Sequence, residues 1–264
     1  MASAPGLTEV VLYDTLVNYL ISMARVVETA MNRALDAIVG FDNARTAGLP
    51  GEVFLLEPRI NEMEVMIDEH AIRLLRRGAF SDDEMRLIVA ALKITNDLER
   101  IGDIAVNLAE RVISLREMPD AKVPEELSPM AEAVRSMVSR SLGALIFRNA
   151  EMAAQVLESD DVVDQYRDTI FENLMAKMTQ DATLVTPGMQ FVLATRHLER
   201  IADHATNIAE DIIFWVRGLD VRHGRGLTLR PEATDVTTTV RGEVTENSHS
   251  LHSDVTASCD TGGA

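Results

Sequence analysis

The hexapeptide Leu98-Glu99-Arg100-Ile101-Gly102-Asp103 returns 100 residues later as Leu198-Glu199-Arg200-Ile201-Ala202-Asp203, and the match runs on through Asn107-Leu108-Ala109-Glu110 and Asn207-Ile208-Ala209-Glu210. A self-match held at constant spacing marks a duplicated structural unit. In the first copy Leu98, Ile101, Ala105, Leu108 and Val112 recur every three or four residues, which lines one face of an α-helix. Glu99, Asp103, Asn107 and Glu110 fall on a second stripe nearly opposite. The stretch therefore predicts a helix with an apolar face for a core and an acidic face turned outward, present twice.

At the same offset Glu64 and Asp68 align with Asp164 and Asp168, so the equivalence reaches the preceding helix. There Leu56, Ile60, Met63, Ile67 and Leu74 predict a core face, whereas Glu57, Asn61, Glu64 and Asp68 share another. Further back, Phe41-Asp42-Asn43-Ala44 resembles Phe147-Arg148-Asn149-Ala150 at a separation of 106, which implies about six extra residues in the first copy around Gly48 to Leu56.

Glycine, proline and small polar residues divide the chain into six helical stretches. The first runs from Thr8 to Ala47 and is broken by Gly48-Leu49-Pro50-Gly51, and the second runs from Val53 to Arg77, where Gly78 stops it. Ser81-Asp82-Asp83-Glu84 reads as a capping box opening a third helix that continues to Arg116. A linker with Pro119 and Pro124 follows, and Ser128-Pro129 supplies a cap and an N1 proline for the fourth helix. The fifth and sixth lead to Arg217-Gly218. The expected fold is all-α, two tandem three-helix bundles over 8–118 and 126–218. From Leu219 to Ala264 the composition turns to Thr, Ser, Asp and Gly, with too little apolar surface to offset the entropy of ordering, and a disordered tail is expected.

Bulk properties agree. With 47% hydrophobic and only 4% aromatic residues, and 13 Met, the chain favours helices packed through aliphatic ridges. A net charge of −17 opposes binding to nucleic acid or to anionic lipid. No apolar run of membrane-spanning length occurs, and Met1-Ala2-Ser3-Ala4-Pro5 lacks the basic start of a secretory signal, so a cytoplasmic protein is expected. The single cysteine, Cys259, permits no disulfide within the chain.

Two acidic ladders on consecutive, antiparallel helices can converge on one groove in each copy. Carboxylates crowded at i and i+4 repel, and a hard cation bound among them removes that repulsion. All-oxygen ligation suits Mg, Ca, Mn or iron. The alternative is a solvated acidic face kept from a duplicated ancestor, and spacing alone does not choose between the two. Arg100 and Arg200 flank the stripe and are expected to bridge helices or subunits. His197 and His204 adjoin the second ladder, but their counterparts are Asp97 and Ile104, so they stand outside the repeated set. Nucleotide-binding glycine loops, nucleophile–histidine pairs and zinc-type spacing are absent from the sequence, so no enzyme is expected. A ferritin-like di-iron oxidase would place Glu-x-x-His on core helices, and Glu246 to His249 in the tail is the one such pair.

On the doubled motif, with its continuation His204-Ala205-Thr206-Asn207-Ile208-Ala209-Glu210, the chain resembles the PhoU family over residues 8 to 218. The resemblance implies paired three-helix bundles, multinuclear metal clusters held by acidic motifs, and homodimers. It implies metal ligands at Glu64, Asp68, Glu99 and Asp103 and at Asp164, Asp168, Glu199 and Asp203, with Glu57 and Asp161 as weaker candidates and Fe, Mn, Mg or Zn as the ion. Asn61 in the first copy stands against Asp161 in the second, which lowers the charge of the first site. The family implies a negative regulator of phosphate uptake and of the phosphate-starvation response, working between the phosphate ABC transporter, through its ATPase subunit, and a sensor histidine kinase. A PhoU-like accessory protein of a low-affinity phosphate permease is the alternative within the same fold.

Overall fold

The structure, a computed structural model, describes residues 7–78, 80–222 and 227–228. These form α1 (Leu7–Val39), α2 (Leu49–Leu75), α3 (Asp82–Arg116), α4 (Leu127–Phe147), α5 (Ala150–Leu157), α6 (Asp160–Gln180) and α7 (Val185–Arg217). Short 3₁₀ turns at Ala44–Thr46 and Ala182–Leu184 precede α2 and α7. The all-α class holds. No described helix is long and apolar enough to cross a membrane.

The predicted apolar stripe is the core. Leu98, Ile101, Ala105, Leu108 and Val112 of α3 have no exposed surface, and neither do Leu198, Ile201, Ala205, Ile208 and Ile212 of α7. Helices α1, α2 and α3 pack together, as do α4, α5, α6 and α7, and the most extensive contact of all joins α3 to α7. This seam carries its own polar pairs. Lys93 of α3 meets the buried Asp211 of α7. Asp97 of α3 accepts from His204 Nδ1 at 2.8 Å and from Asn207 Nδ2 at 3.3 Å. At the other end Arg111 donates to Gln190 at 3.0 Å. A second tie comes from α4, where Arg135 reaches Asn32 at 2.6 Å and Asp36 at 2.7 Å on α1.

Local rules explain most helix ends. Ser81 and Glu84 form the expected capping box, each satisfying a backbone donor near the start of α3. Asn43 and Asn149, matched at the 106-residue offset, are both caps, the first for the 3₁₀ turn and the second for α5. Four boundaries differ from expectation. Helix α1 ends at Val39, because Asn43 opens a separate turn there. Leu49, Pro50 and Gly51 form the first turn of α2 and do not interrupt a helix, since a proline there forfeits no hydrogen bond. About half of the extra length of the first copy lies in residues 44–48 and the rest between α2 and α3. Helix α4 starts at Leu127 with Glu126 at its cap position, so Ser128 and Pro129 sit inside its first turn. The expected fifth helix is two, α5 and α6, separated at Glu158-Ser159. The first copy has Pro58 inside α2 close to the matching place, so both copies lose backbone hydrogen bonding in this region.

After Gly218, whose φ of 67° ends α7 in the left-handed region that glycine tolerates, Leu219–Asp220 pairs antiparallel with Leu227–Thr228. The segment expected to be a disordered tail thus begins as a two-stranded ribbon. Residues 229–264, including Cys259, lie outside the described residues.

Candidate metal site: two carboxylate ladders

Each ladder is built by two neighbouring helices of one repeat. In the first, α2 supplies Glu64 and Asp68 and α3 supplies Glu99 and Asp103. The core stripes of the two helices face each other, which leaves the acidic stripes at the margin of the contact and not simply outward. Glu99 is largely covered, with 18% of its side chain exposed, and Asp103 is more open at 38%. Glu64 is half-buried, whereas Asp68 is exposed along with Asn61. The Glu99 carboxyl is pushed above its ordinary range by loss of hydration, then by the Asp103 charge and a hydrogen bond shared with Asp103; Arg100 opposes this and Glu64 adds to it. Glu99 therefore feels both its helix neighbour Asp103 and Glu64 across the helix contact. Arg100 lies 3.6 Å from Glu99 and 3.8 Å from Asp103, both on its own helix. These distances exceed hydrogen-bond range, and among the described residues Arg100 makes no ion pair to another helix.

The second ladder has the same carboxylates and different company. Asp164 and Asp168 come from α6, Glu199 and Asp203 from α7. Arg167, which the sequence reading passed over, spans them: its guanidinium lies 2.8 Å from Asp164, 2.9 Å from Asp168 and 2.6 Å from Glu199. The other carboxylate oxygen of Glu199, Oε2, is buried without a hydrogen-bond partner. Asp160, at the first residue of α6, adds a fifth carboxylate and accepts from Thr206 at 3.4 Å. Its carboxyl is raised by burial and then by Asp164, with Thr206 opposing. Asp203 is raised by loss of hydration and then by Glu199, Asp160 and Asp164. Asp161 is exposed, and in the first copy Glu57 is half-buried.

Along α2 and α6 the burial pattern repeats at a separation of 103 residues, since the buried Val53, Ile60, Ile67 and Ala71 correspond to the buried Val156, Val163, Ile170 and Leu174. The expected alignment of Glu64 with Asp164 and of Asp68 with Asp168 is therefore three residues out of register, and Asp160, Asp164 and Arg167 stand against Glu57, Asn61 and Glu64. A basic residue in the place of an acid, found once the core aliphatics are aligned, was the available signal. His204, outside the repeated set, is tied through Nδ1 to Asp97 across the α3–α7 seam. His197 is half-buried beside Arg111, and burial followed by the charges of Arg200 and Arg111 keeps it below its ordinary pKa.

The donor set fits a hard cation. It is all carboxylate oxygen, its burial and then its crowding raise the pKa values of Glu99 and Asp203, and at Glu199 it holds an oxygen with no hydrogen-bond partner among the described residues. Among the described residues no three such side chains are already drawn into a cage. A cation would have to draw them together.

The family model described as PhoU domain matches the chain twice, over residues 20–112 and 127–212. The chain belongs to the PhoU family. The two matched segments are the two repeats, so the duplication read from Leu98 and Leu198 is a duplication of the family's own domain. Among similar proteins is the phosphate-specific transport system accessory protein PhoU homolog of Pseudomonas aeruginosa, 36% identical over 83% of this chain and 88% of that protein. The homolog of the same description from Aquifex aeolicus is 35% identical over 77% of this chain and 90% of that protein. The crystal structure of PhoU from Pseudomonas aeruginosa superposes with a TM-score of 0.75 at 34% identity, covering 79% of this chain and 98% of that one. The phosphate transport system regulatory protein PhoU from Streptococcus pneumoniae, at 23% identity and a TM-score of 0.72 over 81% of this chain and 99% of that one, shares the fold.

Proposed function

We propose that this chain regulates phosphate uptake and phosphate homeostasis. It acts as a negative regulator of the phosphate-starvation response, an adaptor between the ATPase subunit of a phosphate ABC transporter and a sensor histidine kinase. It works in the cytoplasm as a homodimer and without catalysis of its own. The observation that carries this reading is the match of both repeats to the PhoU domain, with relatives described as phosphate-specific transport accessory proteins over most of their length. An adaptor of net charge −17 suits partners that present basic surfaces.

The carboxylate ladders are where metal would enter. Glu64, Asp68, Glu99 and Asp103 would hold ions in the first repeat, and Asp164, Asp168, Glu199 and Asp203 in the second, with Fe, Mn, Mg or Zn as the candidate metals. A bound cation would neutralise the crowded acids and stiffen the contact between the helices that carry them.

Two experiments test the reading. A strain lacking the gene should express its phosphate-uptake system even in ample phosphate, and reintroduction should restore repression; unchanged expression would refute the regulatory role. Purified protein prepared without chelator should hold metal by plasma mass spectrometry. A folded variant with Glu99→Ala, Asp103→Ala, Glu199→Ala and Asp203→Ala should lose it, and equal metal in both would remove the ladders from consideration.

A further inference from the structure

Two carboxylate ladders need not be equally open. In the second, one positive charge already sits among the acids. The Arg167 guanidinium bridges α6 to α7 by contacting Asp164 and Asp168 on one helix and Glu199 on the other, all between 2.6 and 2.9 Å. Charge-assisted contacts of this length are among the stronger hydrogen bonds a side chain makes. Among the described residues the first ladder has no such bridge: the matched residue is the acid Glu64, and Arg100 makes only longer contacts within its own helix.

Arg167 also has somewhere to go. It forms part of the wall of a cavity of about 190 Å³ between α6 and α7, with Arg196 and Glu199 alongside and Ile170, Phe171 and Val192 as apolar lining. A guanidinium displaced from the carboxylates can lay its stem against this apolar surface and keep its charge at the opening. The bridge is moreover incomplete, since it leaves Glu199 Oε2 buried and unmatched. An ion with several coordination positions would use that oxygen, and Arg167 in its present place does not.

We infer that Arg167 is a resident counter-cation that latches the second carboxylate ladder, so that a divalent ion enters there only when the guanidinium swings into the adjoining cavity, while the first ladder is open. This rests on the metal reading above. The chain then has one ladder loaded first and one loaded only at higher metal, and loading the second would free a cation at the cavity mouth beside Arg196. If the latch is closed about nine-tenths of the time, the apparent affinity of the second ladder is lowered about tenfold.

The test isolates the second ladder. Full-length chain carrying Glu99→Gln and Asp103→Asn to silence the first is titrated with manganese(II) by calorimetry, with and without Arg167→Met, and each variant's fold is checked by circular dichroism. Removing Arg167 should lower the manganese concentration for half-occupancy about tenfold. It should also enlarge the manganese-dependent rise in Tm, and Arg167→Lys should fall between. Arg167→Gln is a second variant of the same kind should the methionine not fold. Equal half-occupancy with and without the arginine overturns the latch, even if the unaltered chain binds manganese at its first ladder. Absence of manganese from every folded variant, the unaltered chain included, overturns both the latch and the metal reading.

Discussion

The two repeats keep the same foundation under different ladders. In the first, Ile60 packs so closely on Gly102 that a Cβ there would lie 2.9 Å from its Cδ1, and Ile67 fills the core two turns on. In the second, the matched residues are Val163, Ala202 and Ile170, so a smaller side chain on α6 comes with a larger one on α7 and the layer remains hydrocarbon. The acids above it change: Asp160 stands against Glu57 and accepts from Thr206, which replaces Val106, and Arg167 stands against Glu64. A duplicated core can thus persist while the charges it carries at its margin diverge.

Ile60→Asp is the most forceful way to break this comparison, because it puts a charge into the hydrocarbon layer that Ile60 and Val163 share. Ile60 is 2% exposed, and Val106 offers its replacement no donor. A buried, unpaired carboxylate should cost about 3 kcal/mol, a fall in Tm of roughly 6–12 °C by thermal denaturation. An unchanged Tm would show that the ladder does not rest on this layer.

The seam offers a sharper contrast between partners contributed by each repeat. Lys93 of the first repeat pairs with Asp211, whose side chain is only 6% exposed, whereas Arg111 donates to the neutral Gln190 of the second. Lys93→Met should cost about 2–3 kcal/mol in urea denaturation by stranding a buried carboxylate, and Arg111→Met about 1 kcal/mol. Equal losses would mean that the charge of Asp211 is not confined as the structure places it.

The smallest effect is on pH dependence. Without metal, Asp160 and Asp203 in the second ladder and Glu99 in the first titrate above their ordinary values of 3.8 and 4.5. An acid whose pKa is higher folded than unfolded destabilises the fold once ionised, and this penalty fades as pH falls through the window from its raised value to its ordinary one. Asp203→Asn should therefore raise Tm at neutral pH and change it little below the ordinary carboxylate range. Glu99→Gln should act in the same direction, each by less than about 1 kcal/mol given the solvent screening at these partly exposed sites. A stabilisation by Asp203→Asn that grew on acidification would contradict the assignment.

Much of the fold was legible because its determinants are local. The stripe from Leu98 to Val112, the Ser81–Glu84 capping box and the repeated Asn43 and Asn149 caps all act within a few residues of themselves. The recurrence of Glu99 and Asp103 as Glu199 and Asp203 was legible too, since α3 and α7 keep one register. The register of the preceding helix was not: a 100-residue offset sets Glu64 against Asp164, whereas the buried Ile60, Ile67 and Ala71 correspond to Val163, Ile170 and Leu174 and set Glu64 against Arg167. A shift of three residues is close to one helical turn, so either offset keeps acids on one face and the sequence period does not choose between them.

The sequence by itself determined that this protein is an all-helical duplication with two acidic ladders, because helical period, capping and repetition are written in neighbouring residues. Only the tertiary structure decided that α3 packs on α7, that Asp97 holds His204, and that Arg167 bridges the second ladder and not the first. Those contacts join residues 32 to 118 positions apart, and they depend on how helices cross and in what register, which the period of a single helix does not encode.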